Sequence, residues 1–188
     1  MTAPALRARI LAAAAQLTAE SGWSSVRMGR IAELIGVSRQ TVYNEVYSKR
    51  VLTEQMVLTE SAKFLRLVDD AFTANPPDPV AAIREACRGV LRFAADNAVL
   101  HAVVSASHGT DNDLLPLLTT RSDLLLDTVK DLVRGHLVEH LRHLPERTAA
   151  AVTDVLIRAV LSHVVHPSGT PEDTADDIAL LAGHFLAR

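Results

Sequence analysis

A chain of 188 residues, 48% hydrophobic and 22% charged, is long enough to bury a core and ordinary enough to form one large or two small globular domains. One cysteine, Cys87, excludes an intramolecular disulfide, and neither a leader-like segment nor an apolar run of ~20 residues stands out, so a cytoplasmic protein without a membrane span is expected. The net charge of -3 conceals an asymmetry: residues 1–50 carry seven Lys/Arg against three Asp/Glu and residues 51–188 twelve against nineteen, a basic head suited to a polyanion on an acidic body.

In chain order, Arg7 to Ala19 predicts an alanine-rich amphipathic helix with Ile10, Leu11, Ala14 and Leu17 on one face. Gly22 is placed to end it, and Trp23 to fold back as a core anchor. Residues 28–46 then predict two short helices about a turn at Gly36. Ala32 is small enough for the helices to approach closely, Gly36 can take the left-handed conformation, Val37 plugs the space beneath the turn, and the Ser38 hydroxyl can cap the second helix. Ile31, Ile35, Val42 and Val46 supply the apolar stripe, which leaves Arg39, Gln40, Thr41, Tyr43 and Asn44 outside. This is the helix-turn-helix pattern, whose second helix enters the DNA major groove. Glycine-linked helix hairpins also occur in structural proteins; the flanking helices and the basic balance favour DNA.

Tyr47-Ser48-Lys49-Arg50 interrupts the pattern before a fourth helix from about Val51 to Thr73, followed by a proline-rich turn at residues 75–79. A fifth helix is expected from about Val80 to Ala95 and a sixth from about Ala98 to Ser107. After a loop at residues 108–111, a long seventh helix would run from about Asp113 to Leu144, with Pro116 in its first turn and a bend near Gly135. Pro145-Glu146 opens an eighth helix ending near His166-Pro167, and Thr170-Pro171-Glu172-Asp173 opens a ninth. The expected fold is all-α, with about nine helices and no sheet.

Residues 6 to 56 resemble the DNA-binding domain of the TetR family of bacterial repressors, through Ala14 to Gly22, Ile31-Ala32, Gly36-Val37-Ser38, Thr41-Val42-Tyr43, and Ser48-Lys49 with Leu52. The resemblance implies a helix-turn-helix DNA-binding domain at 1–50 and a helical effector-binding and dimerisation domain at 51–188. It further implies a homodimer that binds a palindromic operator and releases it when a small molecule enters the C-terminal domain. Arg27, Ser38, Arg39, Gln40, Thr41, Tyr43, Asn44 and Lys49 form the expected DNA-contact set, with Arg39 and Gln40 best placed for base edges and Tyr43, Thr41 and Lys49 for phosphates. The chain departs from the family at several positions. Arg27 replaces a capping threonine, so the cap moves to Ser24 or Ser25 and Arg27 is freed for a phosphate; Gln40 can read adenine; Glu45 faces a cytosine or points away.

A ligand pocket is expected between the fourth and seventh helices. Its candidate residues are Phe64, Leu65, Val68, Phe72, Leu91, Phe93, Leu100, Val104, Leu118, Leu125 and Val129, with His101, Ser105 and His108 able to orient a headgroup. The mostly aliphatic set suits an apolar effector. The segment from Ser38 to Glu45 looks like that of TetR relatives linked to alkane or fatty-acid metabolism. The last two helices have broad apolar faces, and by the resemblance Val155, Val160, Leu161, Val164, Ile178, Leu181 and Phe185 form the dimer interface, with Leu180 on the same face. His136, His140 and His143 have a spacing that can hold zinc, but solvent-facing histidines at a helix end are the commoner arrangement, so no metal or other cofactor is expected. Cys87 reads as a small buried residue. Without a phosphate loop, nucleophile elbow or paired carboxylates, an enzyme is the weakest alternative to a transcriptional regulator; a helical adaptor using the helix-turn-helix for protein contacts is the other.

Overall fold

A computed structural model describes residues 3–101 and 122–186, and every regular element among them is helical. The described chain divides into two compact units. One holds the residues up to Ser61 with a short return at residues 97–101; the other holds Ala62–Asp96 and the residues from Ser122 onward.

The first unit contains α1 (Ala3–Ser21), a 3-10 turn (Trp23–Ser25), α2 (Met28–Ile35), α3 (Arg39–Val46) and the start of α4 (Lys49–Ala74). Gly22 ends α1 at φ 76°, its N–H donating to Thr18 O (2.9 Å), and Trp23 drops into the core at 7% exposure. Ile10, Ile31, Val42, Val46 and Leu52 have no solvent exposure, each contributing about 1.5–3 kcal/mol of burial. Gly36 adopts the left-handed conformation (φ 69°, ψ 41°). Its N–H reaches Glu33 O (3.3 Å) and that of Val37 reaches Ala32 O (3.0 Å), the paired bonds of a Schellman ending. Val99 joins this core, and Asn97 caps the helical turn that carries it by accepting the Leu100 N–H (2.9 Å).

The step from α3 to α4 is the tightest in the unit. Val46 and Leu52 are both fully buried, and only Tyr47 and Ser48 separate the two helices. Tyr47 takes φ 53°, ψ -45°, and the Ser48 N–H donates back to Val46 O (2.5 Å). This is a γ-turn of the positive-φ kind, which is rare and strained, and for a bulky residue costs of order 1–3 kcal/mol. Ser48 then caps α4, its hydroxyl accepting the Val51 N–H (3.2 Å).

The second unit contains the rest of α4 with α5 (Pro79–Asp96), α6 (Ser122–Leu137), α7 (Glu146–Val165) and α8 (Pro171–Leu186). Asp78 caps α5 by accepting the Ala81 N–H (2.9 Å), with Pro79 in the first helical position. Thr170 caps α8: its hydroxyl accepts the Asp173 N–H (3.1 Å) and donates to the Asp173 carboxylate (2.7 Å). Ion pairs from Arg84 to Asp176 (2.8 Å) and from Arg92 to Glu172 tie α5 to α8.

Two expectations are corrected. The seventh predicted helix ends at Leu137 and not at Leu144; residues 138–143 run in turns, with the Leu141 N–H on Leu137 O (2.9 Å) and that of Leu144 on Leu141 O (2.9 Å). Pro145 drives Leu144 out of the helical region, and burying both Leu137 and Leu141 holds the turns in place. Second, α7 is long and apolar enough to cross a membrane by length and composition alone, at mean hydropathy 1.5. Its middle carries Asp154, paired with Lys130 (2.5 Å) and Arg158 (2.8 Å), while Val152 and Ile157 are buried. The expected start of the seventh helix with Pro116, most of the sixth, and the loop at 108–111 lie outside the described residues.

Candidate nucleic-acid interface

The outward face of the helix-turn-helix is built by caps on one side and ion pairs on the other. Ser38 opens α3: its hydroxyl accepts the Thr41 N–H (3.0 Å) and lies 2.8 Å from Thr41 Oγ1, so both hydroxyls serve the cap. Arg39 and Gln40 follow on the exposed first turn, and Tyr43 and Asn44 one turn later. The Arg39 stem lies against Gly29 of α2, where a Cβ would meet its Nε at 3.4 Å. Sequence reasoning did not single out Gly29; nothing in the pattern of α2 signals it. Gln40 Nε2 donates to Asn44 Oδ1 (2.8 Å), a bond that uses neither the Gln40 carbonyl nor the Asn44 N–H groups; a carbonyl acceptor beside an N–H donor is the set an adenine edge requires.

The flanks are braced from α1. Arg7 pairs with Glu45 (3.5 Å), so Glu45 is turned toward α1 and off the outer face. Arg9 donates to Ile35 O (2.6 Å) at the end of α2. One expectation fails here, the cap of α2. Neither Ser24 nor Ser25 caps α2: Ser25 Oγ donates to Ser21 O and Gly22 O (both 2.8 Å), and the Arg27 guanidinium itself bonds Ser24 O and Val26 O. Lys49 is turned inward, donating to Trp23 O (3.0 Å) with its ammonium 4.8 Å from the Trp23 ring centroid, so it fastens α4 to the 3-10 turn.

In the second unit, α4, α5, α6, α7 and α8 surround a cavity of about 60 Å³, and no polar atom is exposed in its wall. Phe64, Val68, Phe72 and Val129 of the expected pocket line it. Leu65, Leu91, Phe93 and Leu125 do not; Leu100 and His101 belong to the first unit; and Val104, Ser105, His108 and Leu118 lie outside the described residues. The wall's main unforeseen part is the stripe Ile83, Ala86, Cys87 and Val90 on α5, whose helical spacing was legible. Burial pushes the Cys87 thiol up to about 12, keeping it protonated.

The expected dimer set divides. Val155, Leu181 and Phe185 are exposed, as is Leu180. Ile178 is core at 3% exposure, Val160 and Leu161 line the cavity, and Val164 packs on the core, because α8 turns Ile178 inward with Ala175 and Ala182. The three histidines also separate: His136 stacks on Phe72 (centroids 4.9 Å apart) with Nε2 2.8 Å from Asp69, and His143 reaches Phe185 O (3.1 Å). No metal-binding group of side chains is found among the described residues.

Comparison with known proteins agrees with this geometry. The family profile described as bacterial regulatory proteins, tetR family, matches residues 10–56, and that of the bacterial tetracyclin repressor C-terminal domain matches residues 78–184. The HTH-type transcriptional regulator AlkX of Mycobacterium tuberculosis is 27% identical over 184 residues, covering 97% of this chain and 86% of its own. The crystal structure of the TetR family repressor AlkX from Dietzia sp. strain DQ12-45-1b, implicated in biodegradation of n-alkanes, is 25% identical with a TM-score of 0.69, covering 95% of this chain and 96% of that one. A TetR-family regulator from Mesorhizobium loti MAFF303099 shares the fold at a TM-score of 0.73 and 16% identity, covering 98% of each chain. With its helix-turn-helix and its C-terminal unit both matched, the chain belongs to the TetR family of bacterial transcription regulators.

Proposed function

We propose that the protein is a cytoplasmic homodimeric repressor that binds a palindromic operator through residues 1–50 and is released by an alkyl-chain effector taken up by residues 51–188. The observation that carries the DNA half is the exposed polar face of α3, with Arg39 and the Gln40–Asn44 pair set at a fixed angle by the Schellman turn and the Ser38 cap. Arg39 reads guanine and the amide pair adenine; Tyr43 holds phosphate. Two such helices about one DNA turn (~34 Å) apart read two half-sites, and the exposed Val155, Leu180, Leu181 and Phe185 suit a symmetric four-helix contact.

The effector class rests on the cavity wall, which offers dispersion contacts and no hydrogen bond, and on the Dietzia relative's link to n-alkanes. One helix, α4, supplies Leu52 and Met56 to the first core and Phe64, Val68 and Phe72 to the cavity wall. An effector that binds better when α4 has shifted weakens DNA binding by that difference in affinity. The test is a gel-shift titration with the intergenic DNA beside the gene, at two salt concentrations and with competitor DNA, repeated with straight-chain fatty acids and alkanes. Saturable, salt-sensitive retention that an alkyl compound relieves supports the proposal. Retention no better than on random DNA favours an adaptor.

A further inference from the structure

Tyr47 is the residue whose identity nothing among the described residues accounts for. It is the single non-glycine residue at positive φ among the described residues, and glycine occupies the other two such positions, Gly22 and Gly36. The residue is 74% exposed, more than any other large hydrophobic residue described. Burial of Val46 and Leu52 on either side fixes the backbone of the link, so a tight turn is required there. A tyrosine in it is not. Glycine would make the same turn without strain.

Strain that persists at an exposed bulky residue points to a contact made outside the chain. Tyr47 follows Tyr43 by one helical turn, its N–H still donating to Tyr43 O (2.8 Å), so two exposed phenols stand in succession at the end of α3. A phenol suits a sugar-phosphate backbone: the ring lies against deoxyribose and the O–H donates to a phosphate oxygen, without reading sequence. We propose that Tyr47 is a DNA-backbone contact, and that the γ-turn after the recognition helix is kept strained to aim its ring at the strand flanking the groove. This rests on the DNA-binding reading above and adds a residue that reading does not use.

The test uses the full-length protein and a duplex enriched from random DNA on the wild type, and compares wild type, Tyr47→Gly and Tyr47→Phe. Tyr47→Gly is expected to raise Tm by about 2–4 °C through loss of strain, net of glycine's greater freedom in the unfolded chain, and to weaken duplex binding about tenfold through loss of the ring contact and the phosphate hydrogen bond together. Because the phenol is neutral, the dependence of affinity on salt keeps the wild-type slope. Tyr47→Phe keeps the wild-type Tm and falls between the two in affinity. A glycine variant that binds as tightly as wild type overturns the proposal, and so does one with a lowered Tm or altered oligomeric state, which makes the ring a structural or subunit contact. A phenylalanine variant at wild-type affinity overturns the phosphate bond. If wild type enriches no duplex, the DNA-binding reading falls as well.

Discussion

In the N-terminal unit five large aliphatic side chains lie at zero exposure around a helix-turn-helix whose outer face is polar, whereas the C-terminal unit surrounds a cavity with valine, isoleucine, leucine and phenylalanine and leaves Val155, Leu180, Leu181 and Phe185 in solvent. The first arrangement maximises packing and so holds one geometry, which a fixed set of base contacts requires. The second forfeits dispersion contacts along the cavity lining and keeps apolar surface available for something else to cover. The same aliphatic chemistry thus fixes a reading head in one unit and leaves vacancies in the other.

Filling space should therefore have opposite signs in the two units. Ala32 is 1% exposed within the α1–α2–α3 core, so Ala32→Leu forces the helices apart at about 1–3 kcal/mol; thermal melts should fall by several degrees and duplex retention should disappear. An unchanged melt would mean the head is looser than its burial implies. Arg39→Ala comes next. Arg39 is exposed, with its stem against Gly29, so Tm should hold while affinity for the selected duplex drops by about 1–3 kcal/mol, with base preference flattened at the position it reads. A uniform loss across all sequences would reassign Arg39 to phosphate.

How much of this could be read from the sequence also differs between the units. Gly36 and Ser38 were legible because a left-handed helix ending and a side-chain cap each admit few residue types. The place of Lys49 was not legible, because a lysine in a basic segment looks the same whether or not it stands over the Trp23 ring. The bonds of Arg27 were not legible either, because sequence does not show which carbonyls of its own turn come within reach of the guanidinium. In the second unit, periodicity marks a face as buried without naming what buries it. Ile178 and Leu181 lie three apart on α8, yet one is core and the other exposed. Likewise Cys87 and Leu91 share a stripe on α5, but only Cys87 borders the cavity.

Val90→Ile adds one methylene toward the cavity. It should raise stability by about 0.8 kcal/mol and weaken the response to alkyl compounds, the reverse of Ala32→Leu. If it lowers Tm instead, the wall is as tightly packed as the first core and the contrast between the units disappears.

The smallest effect is expected at Asp154, whose carboxylate is held below the usual range by hydrogen bonds from Lys130 and Arg158, with their charges adding to it. A folded-state value below the unfolded 3.8 means the group stabilises the native state above about pH 3.8, and this is lost as pH falls through the lowered value. The side chain is a third exposed (34%), so solvent screens the pair and the gain stays small. Asp154→Asn should therefore melt slightly below wild type at neutral pH, by less than the Val90→Ile shift, and added salt should narrow the gap. At pH well under 3.8 the two should converge, since wild type then carries a neutral acid where the variant carries a neutral amide. Persistence of the gap in acid would show that the site contributes through shape and hydrogen bonding and not through charge.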